Sequence, residues 1–162
     1  MNLATEAPQW LALILAILLV VAAAEDAARL RISNITVLLV LVGAVVAAVV
    51  AGPEVGLWQN LVVFLALLAV GTPMFAAGKL GGGDVKLLAA TGLWFDFRGA
   101  LWMLIMVALA GGVLALLVLI LRMIGWSEGL RQKVVLLRPK AGIPYGVAIA
   151  AGSLIAIAVQ RA

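Results

Sequence analysis

Cysteine and histidine are both absent from this chain of 162 residues. Without cysteine there can be no disulfide bond, cysteine nucleophile or thiolate metal site. Without histidine there can be no Ser-His-Asp triad, and the two absences together exclude a conventional zinc site. We therefore expect neither a metal nor a cofactor, and carboxylate chemistry is the catalytic chemistry that remains.

Charged residues are also scarce. They make up 11% of the chain, whereas hydrophobic residues make up 67%. A soluble domain has about 25% charged and roughly 45–50% apolar residues. The composition predicts a polytopic membrane protein whose partner is the lipid bilayer, with no nucleic acid bound, and residues 1–162 are expected to form a single integral-membrane domain.

Hydropathy predicts an all-α bundle of six transmembrane helices, given that about 20 apolar residues cross a bilayer. The segments lie near residues 9–25, 35–51, 60–77, 85–95, 100–124 and 142–160. No basic residue precedes the first segment, so we expect it to remain in the mature protein rather than to be removed as a signal peptide.

The basic residues alternate from loop to loop. Nine of the eleven lie in or beside the loops after the first, third and fifth segments: Arg29, Arg31, Lys79, Lys86, Arg122, Arg131, Lys133, Arg138 and Lys140. The remaining two are Arg98 and Arg161. Because basic loops stay in the cytoplasm, both termini are expected outside and the loops rich in basic residues inside.

Two aspartates lie within the apolar segments. Asp26 ends the first segment, and Asp84 follows three glycines in the run 81–86, Gly-Gly-Gly-Asp-Val-Lys. Counting 1.5 Å per helical residue from the opposite interface places both in the same cytoplasmic half of the membrane. Charges at membrane depth are costly and usually functional. Two aspartates that meet there would suit the proton-sharing pair of an aspartic protease.

Simpler interpretations of the aspartates remain open. Asp84 could merely cap a helix that starts at Val85, and Asp26 could merely end the first segment, paired with Arg29. The two carboxylates could also bind a cation or relay protons in a small transporter or channel. A third alternative is a noncatalytic membrane protein that holds a partner's helix.

The segment 126–140 and several glycines predict structural features rather than catalytic ones. Residues 126–140 place Leu130, Val134 and Leu137 at helical spacing among basic residues, which predicts an amphipathic helix on the cytoplasmic surface. The glycine pair 111–112, and Gly146 with Gly152, predict close helix packing.

Three motifs together resemble the type IV prepilin peptidase family, in the GxGD class of membrane aspartyl proteases. Residues 26–34, Asp-Ala-Ala-Arg-Leu-Arg-Ile-Ser-Asn, resemble the family's aspartate, basic residues and Ile-Pro-Asn, with Ser33 in place of the proline. Residues 81–88 match G-x-G-D-x-K-L, and residues 144–150, Pro-Tyr-Gly-Val-Ala-Ile-Ala, are similar to the family's P-Y-G-x-A. The chain lacks the insertion with paired cysteines of members that also methylate. It therefore resembles the short peptidases of Flp-type tight-adherence pilus systems.

The resemblance implies an activity and a site. A prepilin would lose its short basic leader at the cytoplasmic face of the bacterial inner membrane, with Asp26 and Asp84 as catalytic residues and no cofactor. The substrate's hydrophobic helix would lie beside the bundle, and the pilus secretion machinery is a candidate partner; the noncatalytic alternative becomes a pilus assembly protein. Backbone or motif support is expected from Gly81, Gly83 and Lys86. Candidate contacts with substrate or lipid are Arg29, Arg31, Asn34, Pro144 and Tyr145.

Overall fold

The computed structural model describes residues 1–52, 55–124, 126–129, 134, 137 and 142–161. Within these ranges the regular structure is entirely helical, which confirms the all-α prediction. The helices are α1 (Leu3–Glu6), α2 (Gln9–Arg29), α3 (Asn34–Ala51), α4 (Leu57–Ala76), α5 (Gly82–Gly92), α6 (Phe97–Met123) and α7 (Tyr145–Arg161). The amphipathic helix predicted for 126–140 falls largely outside the described residues.

Helices α2 to α7 correspond one by one to the six predicted segments. Among the described residues, four of them, α2, α3, α4 and α6, are long and apolar enough to cross a membrane. Helix α5 has only 11 residues and α7 has 17. At 1.5 Å per residue α5 rises about 16 Å, against a hydrocarbon core of about 30 Å. The count of six membrane spans therefore stays a prediction.

Helix α5 is largely covered by neighbouring helices. It packs against α3, α4 and α7, and its residues Leu87, Ala89 and Ala90 are buried. Just beyond its end, the indole N–H of Trp94 donates to the carbonyl oxygen of Val40 on α3 at 3.0 Å. A short helix is tolerated at membrane depth when protein surrounds its ends.

Helix α7 packs on α6 and approaches it most closely at Gly152. A Cβ on Gly152 would lie 2.4 Å from the main chain of Val107, so only glycine fits there, and the predicted packing role of Gly152 is confirmed. A Cβ on Gly111 would make an ordinary contact with Ala148 at 3.6 Å, whereas a Cβ on Gly112 would meet nothing within 4 Å. Gly112 therefore does not serve helix packing.

Both chain termini lie at one end of the bundle. The amino group of Met1 is 3.7 Å from the carboxylate of Asp96, between α5 and α6. The Asn2 amide donates to the side chain of Gln160 at 2.7 Å, and Arg161 donates to the carbonyl oxygen of Ala4 at 2.9 Å. This arrangement agrees with an even number of crossings. Which end faces the cytoplasm stays a prediction.

Candidate active site

Asp26 is buried near the end of α2, with 4% of its surface exposed. Helix α2 ends at Arg29, and Leu30 closes it in the left-handed conformation, with φ 52° and ψ 37°. That conformation is uncommon for a residue with a side chain. It turns the chain sharply, so that the residues after Leu30 return towards the Asp26 side chain. A carboxylate buried to this degree requires a hydrogen-bonding partner.

The partner of Asp26 is the first turn of α7. The N–H of Gly146 donates to Asp26 Oδ2 at 2.7 Å, as expected of the free N–H groups at a helix N-terminus. A Cβ on Gly146 would lie 2.9 Å from that oxygen and 2.8 Å from Ile32 Cδ1, so the approach requires glycine. The packing role predicted for Gly146 is thus incomplete, because this residue also binds the carboxylate.

The predicted pairing of Asp26 with Arg29 is not observed. Arg29 is exposed at the end of α2, and in the part of the chain that the structure describes Asp26 forms no ion pair. The structure therefore does not support the interpretation that Asp26 merely ends the helix, paired with Arg29.

Asp84 lies in the first turn of α5 and also faces the Asp26 region. Helix α5 begins at Gly82 rather than at Val85, and the Asp84 carboxylate accepts from the N–H of Gly81 at 3.2 Å. The interpretation that Asp84 is the cap of a helix starting at Val85 is therefore wrong, because Gly81 is the N-cap and Asp84 supports it from inside the first turn. Asp84 also lines one cavity together with Asp26.

The two aspartates line one cavity of about 200 Å³, which we call the acidic cavity. Its lining comes from the first two sequence motifs: Asp26, Leu30, Arg31, Ile32, Gly81, Gly82, Gly83 and Asp84. The predicted catalytic pair and both predicted support glycines are thus brought together. Arg31, a basic residue, is exposed and is part of the lining.

Ile32 is a site residue that the sequence interpretation did not single out. A Cβ on Gly83 would lie 3.2 Å from Ile32 Cβ, and one on Gly146 would lie 2.8 Å from Ile32 Cδ1. Ile32 therefore packs between the glycines of the second and third motifs. The signal available in the sequence was the isoleucine of the first motif, which was assigned no role of its own.

Glu25 secures the turn in which Ser33 replaces the family's proline. Ser33 has φ −70°, the value that proline fixes, and its hydroxyl caps α3 by accepting from the N–H groups of Ile35 and Thr36. Its own N–H, which proline lacks, donates to Glu25 Oε2 at 2.9 Å, and the Thr36 hydroxyl donates to the same oxygen at 3.0 Å. Glu25 was not predicted as a site residue.

The other predicted residues have different surroundings. Lys86 donates to the side-chain oxygen of Asn34 at 3.1 Å, which connects the N-terminal half of α5 to the start of α3. Pro144 is buried just before α7, and Tyr145 lines a second cavity that also contains Asp84. Within the described residues no group of three or more acidic side chains is placed to hold a metal ion.

Helices able to cross a membrane, with two carboxylates that line one cavity, define a membrane protein with an acidic site. The model of the type IV leader peptidase family matches residues 13–116, well over half of the chain, and the protein belongs to this family. It is therefore a peptidase of the type IV leader peptidase kind, and the resemblance to the prepilin peptidase family inferred from the sequence is confirmed. Comparison with curated proteins and with solved structures finds no match. The matched range includes Asp26 and Asp84 but ends before Gly146.

Proposed function

We propose that this protein is an aspartyl endopeptidase that removes the short basic leader of Flp-type prepilins at the cytoplasmic face of the bacterial inner membrane. Family membership supports leader peptidase activity. The observation that carries the residue assignment is the convergence of Asp26 and Asp84 on one cavity, beside the N–H of Gly146. Proton relay in a transporter would also use two carboxylates, but it would not explain the peptidase family.

The chemistry follows from the proximity of the two carboxylates. Two neighbouring aspartates cannot both ionise cheaply, so the pair holds one proton between them. The ionised carboxylate takes a proton from a water molecule while the water oxygen attacks the scissile carbonyl carbon. The protonated aspartate donates a hydrogen bond to the carbonyl oxygen. Collapse of the intermediate breaks the C–N bond, and a proton passes to the departing amine. The products are a leader with a new carboxylate and a pilin with a new amine.

Mass spectrometry of a purified reaction tests the proposal. The protein in lipid nanodiscs is incubated with a Flp-type prepilin, and we expect a single cut that releases the leader. We expect no methylation of the new amine, even when a methyl donor is supplied, because the cysteine-containing insertion of methylating members is missing. Activity should fall at both extremes of pH, as the pair gains or loses its shared proton.

Replacement of either aspartate tests the residue assignment. Asp26→Asn and Asp84→Asn should each lower cleavage by at least about 100-fold, because an amide cannot exchange the required protons. Folding should be retained, since a neutral isostere removes a desolvation cost. The control is Asp96→Asn, at the end of the bundle that holds the termini, where Asp96 caps α6 through the N–H of Gly99 at 2.8 Å. Asparagine caps helices equally well. Substantial cleavage by a folded Asp26 or Asp84 variant would remove that residue from the chemistry.

A further inference from the structure

A second cavity, of about 350 Å³, meets the acidic cavity at Asp84. We call it the apolar cavity; it lies between α5, α6 and α7, and its walls include Leu88, Gly111, Gly112, Tyr145 and Ile149. We propose that it is a specificity subsite that receives an apolar side chain of the substrate next to the scissile bond. The inference rests on the proposed peptidase function and adds a determinant of substrate choice.

The position of Asp84 is the first argument. Asp84 lines both cavities, so a peptide bond held against the aspartate pair has the apolar cavity beside it. Successive side chains of an extended peptide point in opposite directions. One of the two residues that flank the scissile bond therefore faces the apolar cavity, where an apolar side chain is favoured.

The mixture of groups in the cavity is the second argument. Binding pockets are mostly apolar, with a few polar groups that fix the ligand's orientation, and here the lining residues with polar side chains are Asp84 and Tyr145. A lipid acyl chain would fill the space but would offer no hydrogen-bond donor to Asp84. A peptide supplies both an apolar side chain and backbone N–H groups. We therefore assign the cavity to substrate rather than to lipid.

Gly112 controls the size of the apolar cavity from the α6 side. A Cβ at this position would meet nothing within 4 Å, unlike those on Gly152 and Gly146, so the glycine leaves space that the protein itself does not fill. A larger side chain should enter the cavity without displacing the main chain. Leucine also favours a helix more than glycine does, so Gly112→Leu should fold.

Cleavage of a substrate panel tests the assignment. The probes are forms of one Flp-type prepilin in which each residue that flanks the scissile bond is changed in turn to Ala, Leu or Phe. At one of these positions, Gly112→Leu should lower kcat/KM for the Phe form of the substrate by at least about tenfold, which is within the discrimination that a change in pocket size can produce. For the Ala form at the same position, kcat/KM should change by less than about threefold. Leu88→Ala removes side-chain volume from the opposite wall and so enlarges the cavity. This variant should shift the substrate preference towards the Phe form.

Ala110→Leu is the matched control. It adds the same side chain to the same helix, but Ala110 lines a neighbouring apolar groove of about 480 Å³ whose lining does not include Asp84. We expect its preference among the probes to be that of the wild type. The subsite is refuted if Gly112→Leu slows all probes equally or none, or if Ala110→Leu gives the same change in preference. If Gly112→Leu does not fold, an unchanged substrate preference in Leu88→Ala refutes the proposed subsite. Failure of the wild type to cleave any probe would instead refute the peptidase proposal.

Discussion

Gly146 is the residue at which the three sequence motifs meet. It belongs to the third motif, its N–H binds Asp26 of the first, and Ile32 of the first motif packs between it and Gly83 of the second. The missing side chain allows the approach of Asp26 and Ile32. This single residue thus explains why a glycine follows the Pro-Tyr pair at the start of α7.

Gly146→Ala should impair catalysis more than folding. The added methyl group would lie 2.9 Å from Asp26 Oδ2 and 3.0 Å from Asp26 Cβ, so the carboxylate must move by a few tenths of an ångström. Because a displacement of 1 Å in a catalytic group can cost about 100-fold, we expect kcat to fall by about tenfold or more. The measurement is kcat on prepilin together with the melting temperature.

Gly152→Ala is the comparison for this prediction. Its methyl group would lie 2.4 Å from the main chain of Val107, which cannot yield as a side chain can. We expect Gly152→Ala to lower the melting temperature more than Gly146→Ala does, and its folded fraction to cleave at a rate nearer to that of the wild type. Full activity of Gly146→Ala would show that the contact with Asp26 has no role in catalysis.

At the scale of elements, the connection between α2 and α3 holds Asp26 in place. Glu25 precedes Asp26 directly, and its carboxylate binds the N–H of Ser33 and the hydroxyl of Thr36 at the start of α3. A proline in place of Ser33 would fix the same φ through its ring. In this protein the two hydrogen bonds to the Glu25 carboxylate provide part of the same restraint on the turn.

Glu25→Ala should destabilise the protein by about 1–3 kcal/mol, because the N–H of Ser33 and the hydroxyl of Thr36 both lose their acceptor. Glu25→Gln keeps an acceptor oxygen and should restore most of the stability and activity. In a Ser33→Pro background the N–H is already gone, so Glu25→Ala should cost less there, with a coupling energy of at least about 0.5 kcal/mol. Chemical denaturation of the four proteins of this cycle measures the coupling. Additive costs would show that Glu25 does not act through Ser33.

The helices and the aspartate pair could be predicted from local sequence. Apolar runs give the positions of α2 to α7, and G-x-G-D marks Asp84 without knowledge of the fold. The start of α5 at Gly82 was missed because glycines carry no hydropathy signal and helix ends depend on capping. The bond between Gly146 and Asp26 was missed because it joins residues 120 positions apart. Such a contact depends on how α2 and α7 pack, which no local pattern encodes.

At the scale of the whole molecule, the two ends of the bundle differ in chemistry. One end holds both termini, and the other holds the acidic cavity together with the basic residues Arg29, Arg31 and Lys86. The positive-inside rule predicts that the basic end is cytoplasmic. Because the natural chain contains no cysteine, a single introduced thiol reports the side of the membrane without interference.

Val55→Cys and Ser127→Cys test this orientation. Val55 is 90% exposed in the connection before α4, at the end that holds the termini, and Ser127 is exposed after α6. In intact cells with a permeable outer envelope, a membrane-impermeant thiol reagent should label position 55 and leave position 127 unlabelled. Both positions should react once the inner membrane is permeabilised, and the natural cysteine-free protein should never react. Labelling of position 127 alone in intact cells would reverse the orientation and place the aspartates on the outer side, where a cytoplasmic prepilin leader could not reach them.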